Sequence, residues 1–149
     1  NRRHWDATAD RWVAAGERAW AQMEPTWGIW GVPNSELPLL PESLREQRAI
    51  ELGCGTGYVS AWMQRRGAEV YAIDNSSEQL STAERLAGIY DVERIKWVHG
   101  DAEAVAQPDE SFDFAISEYG AAIWCEPVSY IHLRAHETVL DLVCRLLLE

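Results

Sequence analysis

Cysteine is scarce in this 149-residue chain, and its three copies, Cys54, Cys125 and Cys144, show no paired spacing. An odd, unspaced set argues against a disulfide framework and fits a reducing cytoplasm. Basic residues are also in short supply: thirteen Lys and Arg stand against twenty-four Asp and Glu, a formal charge of -11. A surface of that sign repels a polyphosphate backbone rather than releasing its counterions, so no nucleic-acid partner is expected. No apolar run approaches the ~20 residues that span a bilayer, and the N-terminus lacks the features of a signal peptide, so no membrane partner is expected. Asn1 rather than Met opens the sequence, and the start of translation is expected to lie elsewhere.

A hydrophobic content of 47% over this length is enough for one domain with a core of its own. The most informative stretch is Ala49 to Tyr58. An apolar strand runs there into Gly53, Gly55 and Gly57, and the helical pattern of Val59, Trp62 and Met63 follows at once. Glycine suits a tight turn that a ligand must approach without a Cβ in the way, and the first amides of the next helix face such a ligand. Alternation continues downstream. Glu69–Ile73 reads as a strand ending at Asp74, Ser76 or Ser77 caps a helix through Leu86, and Ile95–His99 and Phe112–Ser117 read as two more strands. Short strands separated by helices imply a parallel, doubly wound α/β sheet with right-handed crossovers, whose ligands bind at the carboxyl ends of the strands. Gly53, Asp74, Asp101 and Ser117 all fall at such ends.

Upstream, residues 5–22 read as one amphipathic helix, and residues 24–44, broken by Pro25, Pro33, Pro38 and Pro41, as an irregular aromatic segment. Five of the eight tryptophans lie in this first part (Trp5, Trp12, Trp20, Trp27, Trp30), and each reads either as core filler or as part of a cover over the ligand. Asp74 lies twenty-one residues after Gly53, where a carboxylate can accept both hydroxyls of a ribose. A dinucleotide fingerprint places its last glycine at position 58, which is Tyr58.

The run Glu51-x-Gly53-x-Gly55-x-Gly57 instead resembles motif I of the class I S-adenosylmethionine-dependent methyltransferases. The stretch Gly100-Asp101-Ala102-Glu103, followed by Pro108-Asp109 and Ser111-Phe112-Asp113, resembles the segment between the third and fourth strands of that family. The resemblance implies a Rossmann-like fold with S-adenosyl-L-methionine as cofactor, methyl transfer to a small-molecule acceptor, and a cofactor site made by Glu51, Gly53, Cys54, Gly55, Gly57, Asp74, Asn75, Asp101, Ala102, Glu103 and Ser117. Asp101 would meet the adenine amino group and the Ala102 amide a ring nitrogen. The glycine-turn amides would meet the methionine carboxylate, and Glu51 would favour the sulfonium. Glu118 and Tyr119 follow the fourth strand, beside the acceptor, and are the candidate catalytic residues. The family also implies a lid role for residues 1–44, with the cofactor-binding core at 45–127.

The motifs carry the resemblance to residue 127. No Pro-Gly-Gly turn or fifth strand follows. Residues 128–149 read as a terminal amphipathic helix, so the sheet is expected to be incomplete relative to the seven-stranded family sheet and the domain truncated or altered. A homodimer through the edge of the fourth strand or the terminal helix is expected to cover what this leaves exposed. The alternative to an enzyme is a nonenzymatic remnant that binds S-adenosylmethionine or keeps only the fold, and a nicotinamide oxidoreductase fits the glycine spacing poorly. His132 and His136, four apart, read more simply as a solvated helix face than as zinc ligands, His99 as a satisfied strand-end residue, and Cys54 as a small residue that fits the turn.

Overall fold

A computed structural model describes residues 2–108 and 110–119. In chain order these form helices α1 (Arg2–Thr8) and α2 (Asp10–Trp20), short strands β1 (Thr26–Trp27) and β2 (Val32–Pro33), then β3 (Arg48–Leu52), α3 (Tyr58–Arg65), β4 (Glu69–Asp74), α4 (Ser77–Ile89), β5 (Ile95–His99) and β6 (Phe114–Ile116). The last four strands form one parallel sheet in the order β5-β4-β3-β6. The fold is thus α/β with a Rossmann-like parallel sheet, and the chain leaves its strand-by-strand progression at β3, the central position where β6 joins on the other side.

Strand alternation divides the sheet into two faces. Ala49, Val70, Ala72, Ile95 and Ile116 point toward α3 and α4 and meet Val59, Ala61, Met63, Leu80 and Leu86 in the main core. Ile50, Leu52, Ile73 and Ala115 point the other way and are joined by Ala102, Val105 and Phe112 from the chain that follows β5. Glu51 sits in β3 opposite Ala72 and Ile116. It therefore projects to the helix side, which is how a carboxylate comes to lie under the start of α3.

Helix ends follow local chemistry. Ser76, rather than Ser77, caps α4, its hydroxyl accepting from the Gln79 amide at 3.3 Å. Gly67, with φ +104, closes α3. At the edge of the sheet Asp113 accepts the Arg48 amide on Oδ2 and donates its own amide to the Arg48 carbonyl, both at 2.8 Å. That exchange starts the β3–β6 pairing. The fourth strand, expected over Phe112–Ser117, is accordingly only Phe114–Ile116.

The first part of the chain departs from its sequence reading in two ways. The expected single helix over 5–22 is two, divided at buried Ala9, where bonds from Ala9 to Asp6 and from Trp12 to Ala9 reach back three residues instead of four. The segment 24–44 contains an antiparallel hairpin, β1 with β2, whose turn has Gly28 at φ +68 and Gly31 at φ +61. The tryptophans divide as well: Trp20 and Trp27 are core residues at 1% and 2% exposure, whereas Trp12 and Trp30 are exposed. The terminal helix expected over 128–149, the His132/His136 pair, Cys125, Cys144 and Asp109 lie outside the described residues.

Two helical glycines give opposite expectations. A Cβ on Gly16 of α2 would stand 2.8 Å from Thr56 Oγ1, whereas one on Gly88 of α4 meets nothing within 4 Å. Replacing an open helical glycine by alanine gains about 0.5–1 kcal/mol, while overpacking costs about 1–3 kcal/mol. Urea unfolding should therefore show Gly88→Ala stabilised and Gly16→Ala destabilised. Equal stabilisation of both would mean that α2 does not press on the glycine turn.

Candidate functional site

The carboxyl ends of β3, β4, β5 and β6 converge on the glycine turn at 53–57. Gly53, Gly55 and Gly57 all have φ between +52 and +74, the left-handed region that side chains disfavour. They do different jobs. A Cβ on Gly55 would meet nothing within 4 Å, so this glycine faces open space. One on Gly57 would lie 2.5 Å from the Trp97 ring, so Gly57 also serves packing, letting α3 close onto the sheet.

The turn is held largely by its own bonds. Gly53 and Cys54 donate their amides to the Ile73 carbonyl at 2.8 and 3.0 Å, Gly57 donates to Cys54, and Gly55 donates to Asp74 Oδ2 at 2.8 Å. Four amides expected to meet a methionine carboxylate are thus already bonded within the protein. The other Asp74 oxygen accepts the Ser76 amide at 2.8 Å. Burial raises the Asp74 pKa even though the amides of Ser76, Gly55 and Asn75 favour its charged form. Three amides on the roughly four acceptor sites of a carboxylate leave room for a hydroxyl donor.

Glu51 is 2% exposed. Its Oε2 accepts the Ser60 amide at 2.7 Å and the Ser60 hydroxyl at 2.5 Å, which caps the third residue of a helix whose N-cap, Gly57, has no side chain to do so. Desolvation pushes its pKa up to about 8, with Glu118 and Asp74 adding repulsion. The expected negative charge at Glu51 is therefore largely neutralised near pH 7, because burial opposes ionisation more than the two Ser60 bonds favour it. Cys54 is buried, and its thiol is pushed well above its usual pKa, first by burial and then by Glu51 and Asp74. It is a small core residue and a poor nucleophile.

The remaining expected positions fall around this centre. Asn75 follows Asp74, and its carbonyl lies 3.2 Å from Nε2 of exposed His99. Asp101 is exposed and folds its own loop, Oδ1 accepting the Glu103 amide at 3.0 Å, while Ala102 is buried in the second core cluster. Ser117 is 1% exposed and its hydroxyl donates to the Leu52 carbonyl at 2.8 Å, tying the end of β6 to the end of β3. Glu118 Oε1 accepts the Gly28 amide at 3.0 Å, and burial raises its pKa. Tyr119 is part-exposed at φ +53, a strained value for its type; burial comes first in raising its pKa and repulsion from Glu118 second. Among the described residues no cluster suits a metal ion, and no helix is long and apolar enough to cross a membrane.

Several contributors from the N-terminal segment were invisible in the sequence pattern. Asp6 accepts the Ser76 hydroxyl at 2.6 Å, Trp20 Nε1 donates to the Thr56 carbonyl at 2.9 Å, and Tyr58, the first residue of α3, bonds through its hydroxyl to the Thr26 amide at 2.5 Å. These pairs are 32 to 70 residues apart, beyond any local periodicity. Only the density of Trp and Gly near positions 16–31 hinted at close packing there.

A parallel sheet with a glycine turn at the end of one strand and a carboxylate at the end of the next is the arrangement in which Rossmann-like α/β proteins place their ligand site. More narrowly, residues 49–147 match the family described as methyltransferase domain, and the chain belongs to that family. The match runs past residue 127, where the recognisable motifs stop. S-adenosyl-L-methionine is the cofactor of this family. The chain is 34% identical over 128 residues to the malonyl-[acyl-carrier protein] O-methyltransferase of Halorhodospira halophila, covering 84% of this chain and 39% of that protein. It is 34% identical over 80 residues to a ubiquinone biosynthesis O-methyltransferase of Sinorhizobium fredii, covering 54% and 32%. The solved YcgJ protein of Bacillus subtilis resembles it with a TM-score of 0.60 at 26% identity, over 70% of this chain and 44% of that one. The chain therefore spans less than half the length of these relatives. The residues present suit the cofactor at two points of the structure itself: the open space over Gly55 and the Asp74 carboxylate beside it.

Glu51 makes stability depend on pH. An acid whose folded pKa is raised from 4.5 to about 8 leaves its full stabilisation in place below about pH 4.5, and that contribution is lost as pH rises toward 8. Glu51→Gln, which can still accept from Ser60, should flatten this dependence and be the more stable form above pH 8. Urea midpoints at pH 5, 7 and 9 check this, and parallel curves for parent and variant would place the titration elsewhere.

Proposed function

We propose that this chain is an S-adenosyl-L-methionine-dependent methyltransferase that methylates a small molecule by direct displacement. The observation that carries the reading is the Asp74–Gly55 pair, a carboxylate fixed beside a glycine whose Cβ direction is empty, at the carboxyl ends of the two central strands. In this reading Asp74 takes the ribose hydroxyls, Asn75 lies beside them, Gly53, Cys54 and Gly55 supply backbone that the ligand can approach, and Asp101, Ala102 and Glu103 form the adenine side. Glu51, Gly57 and Ser117 hold those elements in place from below. The bound cofactor supplies a methyl group activated by its positive sulfur. The protein then has to hold acceptor and donor in line, which is worth about 7–11 kcal/mol and needs little acid–base machinery. Glu118 and Tyr119 are the groups nearest an acceptor. Two relatives are O-methyltransferases, which supports oxygen as the acceptor atom.

Calorimetry with S-adenosylhomocysteine tests the site. The parent should bind it, and Asp74→Ala should weaken binding by about 1–3 kcal/mol through loss of the ribose bonds. Gly55→Val, whose side chain fills the open space, should abolish binding, with some loss of stability from the φ of +52. Normal affinity in both variants would remove the turn and Asp74 from the site.

A cytoplasmic location and a homodimer belong to the same proposal. Support for the dimer is the position of β6 at the end of the sheet order among the described residues. Sedimentation should give a dimer for the parent and a monomer for a Leu142→Glu, Leu146→Glu variant. A monomeric parent at micromolar concentration ends the dimer reading.

A further inference from the structure

The hairpin turn Gly28–Gly31 carries two bulky apolar residues where turns ordinarily carry Asn, Asp, Gly or Ser. Ile29 is 76% and Trp30 69% exposed. A single exposed apolar residue is ordinary, but adjacent ones on a fixed turn form a presented surface. The turn is fixed on three sides. Gly31 donates to the Gly28 carbonyl at 3.1 Å, the Tyr58 hydroxyl accepts the Thr26 amide and lies 3.3 Å from the Thr26 carbonyl, and the Gly28 amide donates to Glu118. The Tyr119 side chain also reaches the Ile29 backbone. Ile29 and Trp30 are thus held at the carboxyl end of β6, next to Glu118 and part-exposed Tyr119, with little ordering left to be done on binding.

Charge narrows the occupant. Among the described residues, the interactions that shape Glu118 are burial and the Gly28 amide, with no basic group and no ion pair. Its ionisable neighbours among the described residues are Tyr119, Tyr58 and the acid Glu51, and Arg65 acts on Tyr58 from beyond them. An anionic acceptor placed beside Glu118 would lose water next to a buried carboxyl group that has no ion-pair partner among the described residues.

We propose that Ile29 and Trp30, tied to the end of β6 through Gly28 and Glu118, are the acceptor-recognition element of the site and select an uncharged acceptor with an apolar body. The proposal rests on the methyltransferase reading. Glu118 is here a positioning residue: its oxygen on the Gly28 amide sets where the hairpin tip stands.

The test uses the full chain saturated with S-adenosylhomocysteine and three probes: phenol, 4-butylphenol and 4-butylbenzoate, titrated by calorimetry at pH 7. The expected result is that 4-butylphenol binds at least tenfold more tightly than either of the others. An Ile29→Ser, Trp30→Ser variant should lose that preference while S-adenosylhomocysteine affinity stays within twofold. Glu118→Gln, which keeps an oxygen for the Gly28 amide, should preserve the preference, and Glu118→Ala should weaken it. Equal binding of the benzoate, or a preference that survives in the double variant, overturns the acceptor assignment alone. Failure of the parent to bind S-adenosylhomocysteine overturns it together with the methyltransferase reading.

Discussion

The Asp74 carboxylate receives the Gly55 amide on one oxygen and the Ser76 amide on the other, both at 2.8 Å. Much of the site depends on this bridge. The three left-handed glycines of the turn bring no side chains to hold it, and each loses more conformational entropy on ordering than another residue would. Its shape must be imposed from neighbouring elements. Asp74 does so from β4 and at the same time sets the start of α4, while Ile73 accepts two more amides of the turn and Glu51 fixes the first turn of α3 through Ser60. Two acids on adjacent strands therefore position two helix starts, and the opening between them is the space over Gly55.

The same arrangement separates this turn from one that cradles phosphate. A phosphate loop presents unbonded amides to an anion. Here the amides of Gly53, Cys54, Gly55 and Gly57 are committed within the protein, and carboxylates stand where a phosphate loop would be positive. The turn offers a ligand shape and hydroxyl acceptors rather than positive field. That is the chemistry of a nucleoside.

How far the sequence reveals this follows from the range of the interactions. Strand and helix order from β3 onward, a cap at Ser76 or Ser77 and the Asp74 position were legible because each is fixed by neighbours a few residues away or by a period of 2 or 3.6. The hairpin was not, since two-residue strands containing Pro33 carry no alternation to detect. Nor were the separate duties of the glycines. Gly55 and Gly57 look alike in sequence and in φ, and only the Trp97 ring, forty residues on, makes one a packing residue and leaves the other open. Ser117 was placed correctly at a strand end, yet its hydroxyl points to the Leu52 carbonyl, a bond between elements that no single segment announces. The Gly28–Glu118 contact spans ninety residues and was illegible for the same reason.

Acidity at the site has to be weighed against burial. The formal charge of -11 does not by itself measure the field a ligand meets, because desolvation comes first in raising the pKa of Glu51, Asp74 and Glu118. Glu51, near 8, is mostly protonated at neutral pH, so it acts there as a hydrogen-bonding group rather than as a charge. Yet the low dielectric that suppresses its ionisation also lengthens the reach of any cation brought close to it. A positively charged ligand lowers the pKa of such an acid, and by linkage the acid then binds that ligand more tightly as pH rises. Burial under the glycine turn thus sets two quantities in opposite directions with pH. It lowers the stability of the empty fold as Glu51 is driven to ionise, and it raises the advantage of a cationic over a neutral nucleoside, which is the sense of discrimination needed to bind a sulfonium donor and release its uncharged thioether.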